Sequence, residues 1–179
     1  DRPGLGFAIS EIRPETALIS VMYANNEIGT IQPIADLAAI AHSHGVPMHT
    51  DAVQAAGWLS LDVGMLGVDA LSISGHKLGA PKGTGALYLR GRVPLEPVMH
   101  GGGQERGARS GTENIAGAVG LATALRLAEE SRNDNALRVT LLRDEFITEV
   151  LRSVPDALLT GQPTDRLPTI ASFCFPGTS

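Results

Sequence analysis

Two side chains in this 179-residue chain invite a chemical reading: the amine of Lys77 and the carboxylate of Asp51. Of the 14 basic residues, only Lys77 and Lys82 are lysine and the rest are arginine. Arginine stays protonated in proteins, whereas an ammonium can give up its proton in a suitable site and attack a carbonyl. Lys77 closes Ser74-Gly-His-Lys77, directly after an apolar segment, and Gly75 permits a tight turn there. Asp51 also follows an apolar segment, and a carboxylate so placed can pair with a protonated ring nitrogen or with Lys77 itself. A lysine that forms an imine with an aldehyde cofactor, with an aspartate on the pyridinium nitrogen, is the arrangement expected for pyridoxal phosphate. A surface lysine and a helix-capping aspartate would leave the same spacing.

The elements that must position these groups are legible as alternation. Residues 17–23 are apolar on both alternating faces, as in a parallel-sheet strand covered on two sides, and end in Asn25-Asn26-Glu27. Pro33 opens a helical pattern over 34–41 that Gly45 terminates, and residues 46–50 read as a second strand leading into Asp51. Strand, helix, strand is a βαβ unit. Residues 68–74 and 85–90 read as third and fourth strands on either side of the Gly-His-Lys stretch. In open α/β sheets ligands bind beyond the carboxyl ends of strands, so Asn25, Asn26, Asp51, Gln54, Ser74, His76 and Lys77 are expected to converge on one crevice.

Beyond the loop His100-Gly-Gly-Gly-Gln-Glu-Arg-Gly107, the pattern predicts a helix over 115–130, a polar hinge at 133–135 and a second amphipathic helix over 136–154. Short strands follow near 157–160 and 169–175. The change of pattern places a domain boundary near residue 133. Hydrophobic residues at 43 % and charged residues at 18 % match a globular chain with a core. A formal net charge of -5 excludes a protein that binds phosphate backbones by charge, so no nucleic-acid partner is expected. No apolar run reaches the ~18 residues of a membrane span. The first residues lack a secretory pattern and one cysteine cannot form an internal disulfide, which suits the cytoplasm.

Ala24-Asn-Asn-Glu-Ile-Gly29 with Gln32-Pro-Ile34, His49-Thr-Asp-Ala-Val-Gln54, Ser74-Gly-His-Lys77, Pro81-Lys-Gly83, His100-Gly-Gly-Gly-Gln-Glu-Arg-Gly107 and Arg109-Ser-Gly-Thr112 stand in order along the chain. Together they resemble consecutive blocks of the cysteine desulfurases, class V, fold-type I pyridoxal phosphate enzymes. The resemblance runs from about Ile12 to Glu130 and is weaker to Ser179. It implies a three-layer α/β fold with a mostly parallel sheet. Residues 1–132 would be part of the cofactor-binding large domain and 133–179 the start of a smaller α+β domain. By resemblance, Lys77 matches the lysine that holds the cofactor covalently and Asp51 the aspartate that keeps the pyridine nitrogen protonated. Gln54 corresponds to the residue that hydrogen-bonds the phenolic oxygen, and Asn26 to one near that oxygen and the substrate carboxylate. Ser74 and His76 resemble phosphate ligands, and Thr112 a threonine that reaches the phosphate of the neighbouring subunit, which implies a homodimer.

The reaction implied is removal of sulfur from L-cysteine. Lys77, displaced by substrate, moves protons, an enzyme thiolate takes the sulfur as a persulfide, and alanine leaves. An iron–sulfur scaffold or another sulfur acceptor would be the partner. A selenocysteine lyase, another class V lyase or aminotransferase, or a non-catalytic partner retaining the fold are the alternatives. The sequence departs from the pattern in its thiol. Cys174, in Ser172-Phe-Cys-Phe175, is expected to be a buried, inert strand residue. The family nucleophile lies on a flexible loop further along. The amino-terminal phosphate-binding turn, the histidine that stacks on the ring and a carboxyl-terminal arginine are missing too. An interior fragment is therefore expected, one poorly soluble alone because a truncated sheet exposes apolar edges.

Other motifs yield no competing chemistry. His49 and Asp51 share a strand face but lack a third metal ligand. His42 and His44 suit a helix end facing solvent. Lys82-Gly-Thr84 inverts the order a phosphate-binding P-loop requires, and His100-Gly-Gly-Gly103 has no Gly-x-Ser-x-Gly partner for hydrolysis. Arg106 and Arg109 could brace a subunit interface or approach the phosphate, or form ordinary surface ion pairs.

Overall fold

The computed structural model describes residues 10–91 and 93–178. Its sheet has the order β1 (Ile19–Met22), β2 (Met48–Asp51), β3 (Ala70–Ser74), β4 (Gly85–Leu89). β1, β2 and β3 pair in parallel, with Val21 opposite Thr50 and Thr50 opposite Leu71. β4 runs antiparallel to β3, pairing Ser74 with Gly85. The antiparallel return follows from a connection too short for a parallel crossover, which needs a dozen or more residues.

Helix α1 (Ile34–Ser43) buries Ile34, Leu37, Ala38 and Ala41, one stripe at helical spacing. That stripe packs with Met48, Val68, Leu71 and Ile73 into a single core. Gly45, at φ +71°, lets the chain turn into β2. The short helix α2 (Val63–Leu66) is capped by Asp62, whose carboxylate accepts the N–H groups of Gly64 and Met65 at 2.8 and 3.1 Å. At the amino end of β3, Asp69 accepts from the Met48 N–H at 2.9 Å and meets His42 Nε2 at 2.7 Å. His42 is thus held against Asp69 at the amino end of the sheet while still exposed.

Two expectations are corrected here. The segment read as two helices with a hinge is one helix, α3 (Ile115–Ser153), which runs through 133–135 without a break. Polar residues there signal exposure rather than interruption: Asn133 and Asp134 are solvent-facing, and neither glycine nor proline is present to break the ladder. Asn114 caps its start by accepting the Gly117 N–H at 3.0 Å, and Pro155 follows its end. The second correction concerns Cys174, which is exposed. It lies on β6 (Phe173–Cys174), antiparallel to β5 (Leu158–Leu159). Strand alternation turns Phe173 inward against Phe146, ring centroids 5.9 Å apart, and so turns the thiol outward. α3 exposes Leu137, Leu141, Leu142 and Phe146 along its second half. Among the described residues no helix is long and apolar enough to cross a membrane.

Candidate active site

Asp51 is the last residue of β2, and Ser74 the last of β3. Because the two strands are parallel and Asp51 pairs with Ser72, both groups stand at the same, carboxyl, edge of the sheet. Their neighbours on the open face are polar as well. His49 joins the strands, its Nδ1 2.8 Å from Ser20 Oγ on β1 and its Nε2 3.2 Å from Ser72 Oγ on β3. The opposite face carries Thr50 and Leu71 into the core.

The chain leaves β3 in one 3-10 turn, Gly75–Lys77. The turn is fixed from several directions. Gly75 donates to Thr84 O at 2.9 Å, and its carbonyl accepts from the Leu78 and Ala80 N–H groups at 2.9 and 3.0 Å. A Cβ on Gly75 would stand 3.1 Å from Ala80 Cβ and 3.3 Å from Leu121 Cδ1, and closer still to Thr84 Oγ1. Only glycine fits. The first turns of α3 therefore press on the element that carries Lys77, whose side chain is exposed and, among the described residues, has no ion pair. Ser74 Oγ lies 2.7 Å from His76 Nδ1. Whichever of the two donates, one hydrogen remains for another acceptor: the serine hydroxyl or the ring Nε2–H.

Asp51 accepts the Val53 N–H at 2.9 Å through Oδ1, which leaves a second carboxylate oxygen for a ligand. Gln54 is half-buried in the turn just beyond it. Asn26 sits exposed in the loop after β1, next to Asn25, whose Oδ1 accepts from the Glu27 and Ile28 N–H groups at 2.8 and 2.9 Å. Asn26, Asp51, Gln54, Ser74, His76 and Lys77 thus follow β1, β2 and β3 at one end of the sheet. Thr112 does not share that origin. It is exposed in the segment 110–114 that leads into α3, and Gln104 Oε1 accepts the adjacent Gly111 N–H at 2.9 Å. An unpaired amine, a carboxylate with a free oxygen, and a hydroxyl–imidazole pair with a hydrogen to give fit the donor set a phosphorylated pyridine aldehyde needs.

Sequence reasoning missed what holds these groups in place. Thr84 packs against both Gly75 and Gly117, and nothing in its local sequence marks it. Arg166 and Arg143 are both buried, and nothing in their local sequence marks them either.

A mostly parallel sheet with polar groups gathered at the carboxyl edge of its parallel strands, and a lysine on the turn after one of them, is an α/β arrangement of the kind that binds ligands beyond its strand ends. Residues 5–179 match the model of the class-V aminotransferases, and the chain belongs to that family. It is 51 % identical over 164 residues to an IscS-like cysteine desulfurase of Mycobacterium tuberculosis, covering 91 % of this chain and 42 % of the relative. It is 48 % identical over 164 residues to the cysteine desulfurase IscS of Dictyoglomus turgidum, covering 92 % of this chain and 42 % of the relative. A solved NifS-like protein superposes with a TM-score of 0.90 at 39 % identity, over 97 % of this chain and 48 % of that one. Another, from Rickettsia africae, gives 0.89 at 30 % identity, over 99 % of this chain and 49 % of that one. The chain spans less than half the length of these proteins.

Proposed function

We propose that the whole protein is a pyridoxal phosphate-dependent cysteine desulfurase, taking L-cysteine to L-alanine and a protein persulfide that serves iron–sulfur assembly and thio-modification. The observation that carries this reading is the joint placement of Lys77 and Asp51 at the carboxyl edge of β3 and β2, in a chain about half identical to a named desulfurase. Lys77 would hold the cofactor through its amine and, once substrate displaces it, carry protons to and from the substrate carbon. Pyridoxal phosphate, when bound, supplies an electron sink for the charge that develops at that carbon. Asp51, with its free oxygen, would keep the pyridine nitrogen protonated, while Ser74 and His76 give their remaining hydrogen to the phosphate. Gln54 and Asn26 would reach the phenolic oxygen and, for Asn26, the substrate carboxylate.

Thr112, set apart from this group on the approach to α3, suits contact with the phosphate of a second subunit and hence a homodimer. Residues 1–132 would then belong to the cofactor domain and 133–179 to the beginning of the smaller one, with α3 spanning the boundary. The sulfur-accepting thiol would come from another part of the protein, and the enzyme would work in the cytoplasm beside its acceptor. Adding pyridoxal phosphate to the full-length protein should give a yellow species. Lys77→Ala should abolish its visible band, and Asp51→Ala should greatly weaken alanine release from L-cysteine. A colourless full-length protein after cofactor addition would overturn the proposal.

A further inference from the structure

Arg166 is 3 % exposed, yet its guanidinium meets no carboxylate among the described residues. Instead it is spent on carbonyls from three stretches of chain. Nε donates to Gln162 O at 2.9 Å, Nη1 to Ile28 O at 2.9 Å and Ile170 O at 3.4 Å, and Nη2 to Thr160 O. Burial, with the nearby Arg143 cation, holds its pKa below the ordinary arginine value. The Asp144 carboxylate, paired with Arg143, opposes that shift from a distance. A charge taken out of water with no carboxylate in direct contact is expensive, and a fork of fixed donors offsets that only if every carbonyl stays in place.

The contact to Ile28 spans 138 positions of sequence and is one of a set. The Leu167 N–H donates to Gly29 O at 2.8 Å, the Ile31 N–H to Asp165 O at 2.9 Å, and the Gln162 N–H to Thr30 Oγ1 at 3.1 Å. A Cβ on Gly29 would stand 2.9 Å from Ile170 Cβ, and one on Gly161 2.7 Å from Ile28 O, so the two segments approach too closely for a side chain at either glycine. From the far side Arg143 on α3 donates to the carbonyls of Arg166 and Leu167, each at 3.0 Å. The loop so gripped is the one whose inner turn Asn25 closes through the Glu27 and Ile28 N–H groups, with Asn26 between them.

We propose that Arg166 is a positioning residue for Asn26: it ties the 160–170 segment to the loop 25–31 and so fixes where that loop presents its amide to the substrate end of the site. This rests on the reading of Asn26 given above, but its first test does not. Amide hydrogen exchange in the cofactor-free, full-length protein should show the Glu27, Ile28 and Gly29 amides exchanging about tenfold faster in Arg166→Lys, the change expected for loss of one charge-assisted hydrogen bond. The Ala52 N–H, bonded to Ser72 O at 2.9 Å in the sheet, should be unaffected. In the loaded enzyme, Arg166→Lys should raise KM for L-cysteine more than it lowers kcat, and the effect should largely vanish when Asn26→Ala is already present.

Should Arg166→Lys yield no folded protein, Thr30→Val removes only the acceptor of the Gln162 N–H and should speed the same three amides selectively. Unchanged loop exchange in whichever variant folds, uniform acceleration through the sheet, or a KM effect that persists in full beside Asn26→Ala would overturn the proposal. A protein that never turns yellow refutes the cofactor reading instead and leaves the exchange result to decide this one.

Discussion

Gly75→Ala sets the packing around Lys77 against a single methyl group. The added carbon would sit 3.1 Å from Ala80 Cβ and 3.3 Å from Leu121 Cδ1, and inside contact distance of Thr84 Oγ1. Leu121 can give by rotating its terminal methyls. Thr84 is less free, because its hydroxyl donates to Pro81 O at 2.7 Å and its Cγ2 fills the space over Gly117. Overpacking of this kind costs about 1–3 kcal/mol, a tenfold change in an equilibrium for each ~1.4 kcal/mol. The strain falls on the turn itself, since the Gly75 N–H and carbonyl make its bonds to Thr84, Leu78 and Ala80. Pyridoxal phosphate titration followed by absorbance should therefore weaken about tenfold or more in Gly75→Ala, with thermal unfolding a few degrees lower. Adding Thr84→Ala removes the hydroxyl at the point of overlap, and the double variant should recover roughly half the loss in binding despite the new cavity. Cofactor affinity equal to the parent in Gly75→Ala, or losses that simply add in the double variant, would refute the claim that this close approach holds Lys77.

Asp69 gives a pH signature. Burial alone would raise its carboxyl pKa, but the His42 and Met48 N–H hydrogen bonds, with the charges of His42 and Arg90, outweigh it and leave the value below the ordinary 3.8. A carboxylate lowered on folding stabilises the protein fully above its unfolded pKa and loses that contribution as the pH falls through the folded one. Asp69→Ala should thus lose about 2 kcal/mol in urea unfolding at neutral pH, with the gap to the parent closing below pH 3.8. Asn133→Pro, at the middle of continuous α3, should cost about 3 kcal/mol in the same assay, whereas a hinge there would tolerate it. Cys174→Ser should leave alanine release from L-cysteine unchanged, because β6 belongs to a two-stranded sheet separate from the one that carries Lys77; a large loss would make that thiol the sulfur acceptor.

The sequence by itself determined the parts that local chemistry decides. Strand, helix and strand up to Asp51, the Gly-His-Lys turn after β3 and the polar exits after each strand are written within a few residues of one another, as periodicity and turn chemistry. The parallel order of β1 to β3 then leaves those exits no choice but one edge. Where local pattern and tertiary context conflict, the pattern misleads: Asn133 to Asn135 looks like a break, yet the helical ladder passes through it. Cys174 looks buried between aromatics, yet Phe173 takes the inward position through its contact with Phe146, and alternation sends the thiol out. The tertiary structure alone decided that Thr84 and α3 brace the lysine turn, and that Arg166 meets the carbonyl of Ile28 from 138 residues away. Neither has a local signature, because a carbonyl looks the same beside every residue type. Only folding chooses which of them a buried guanidinium will find.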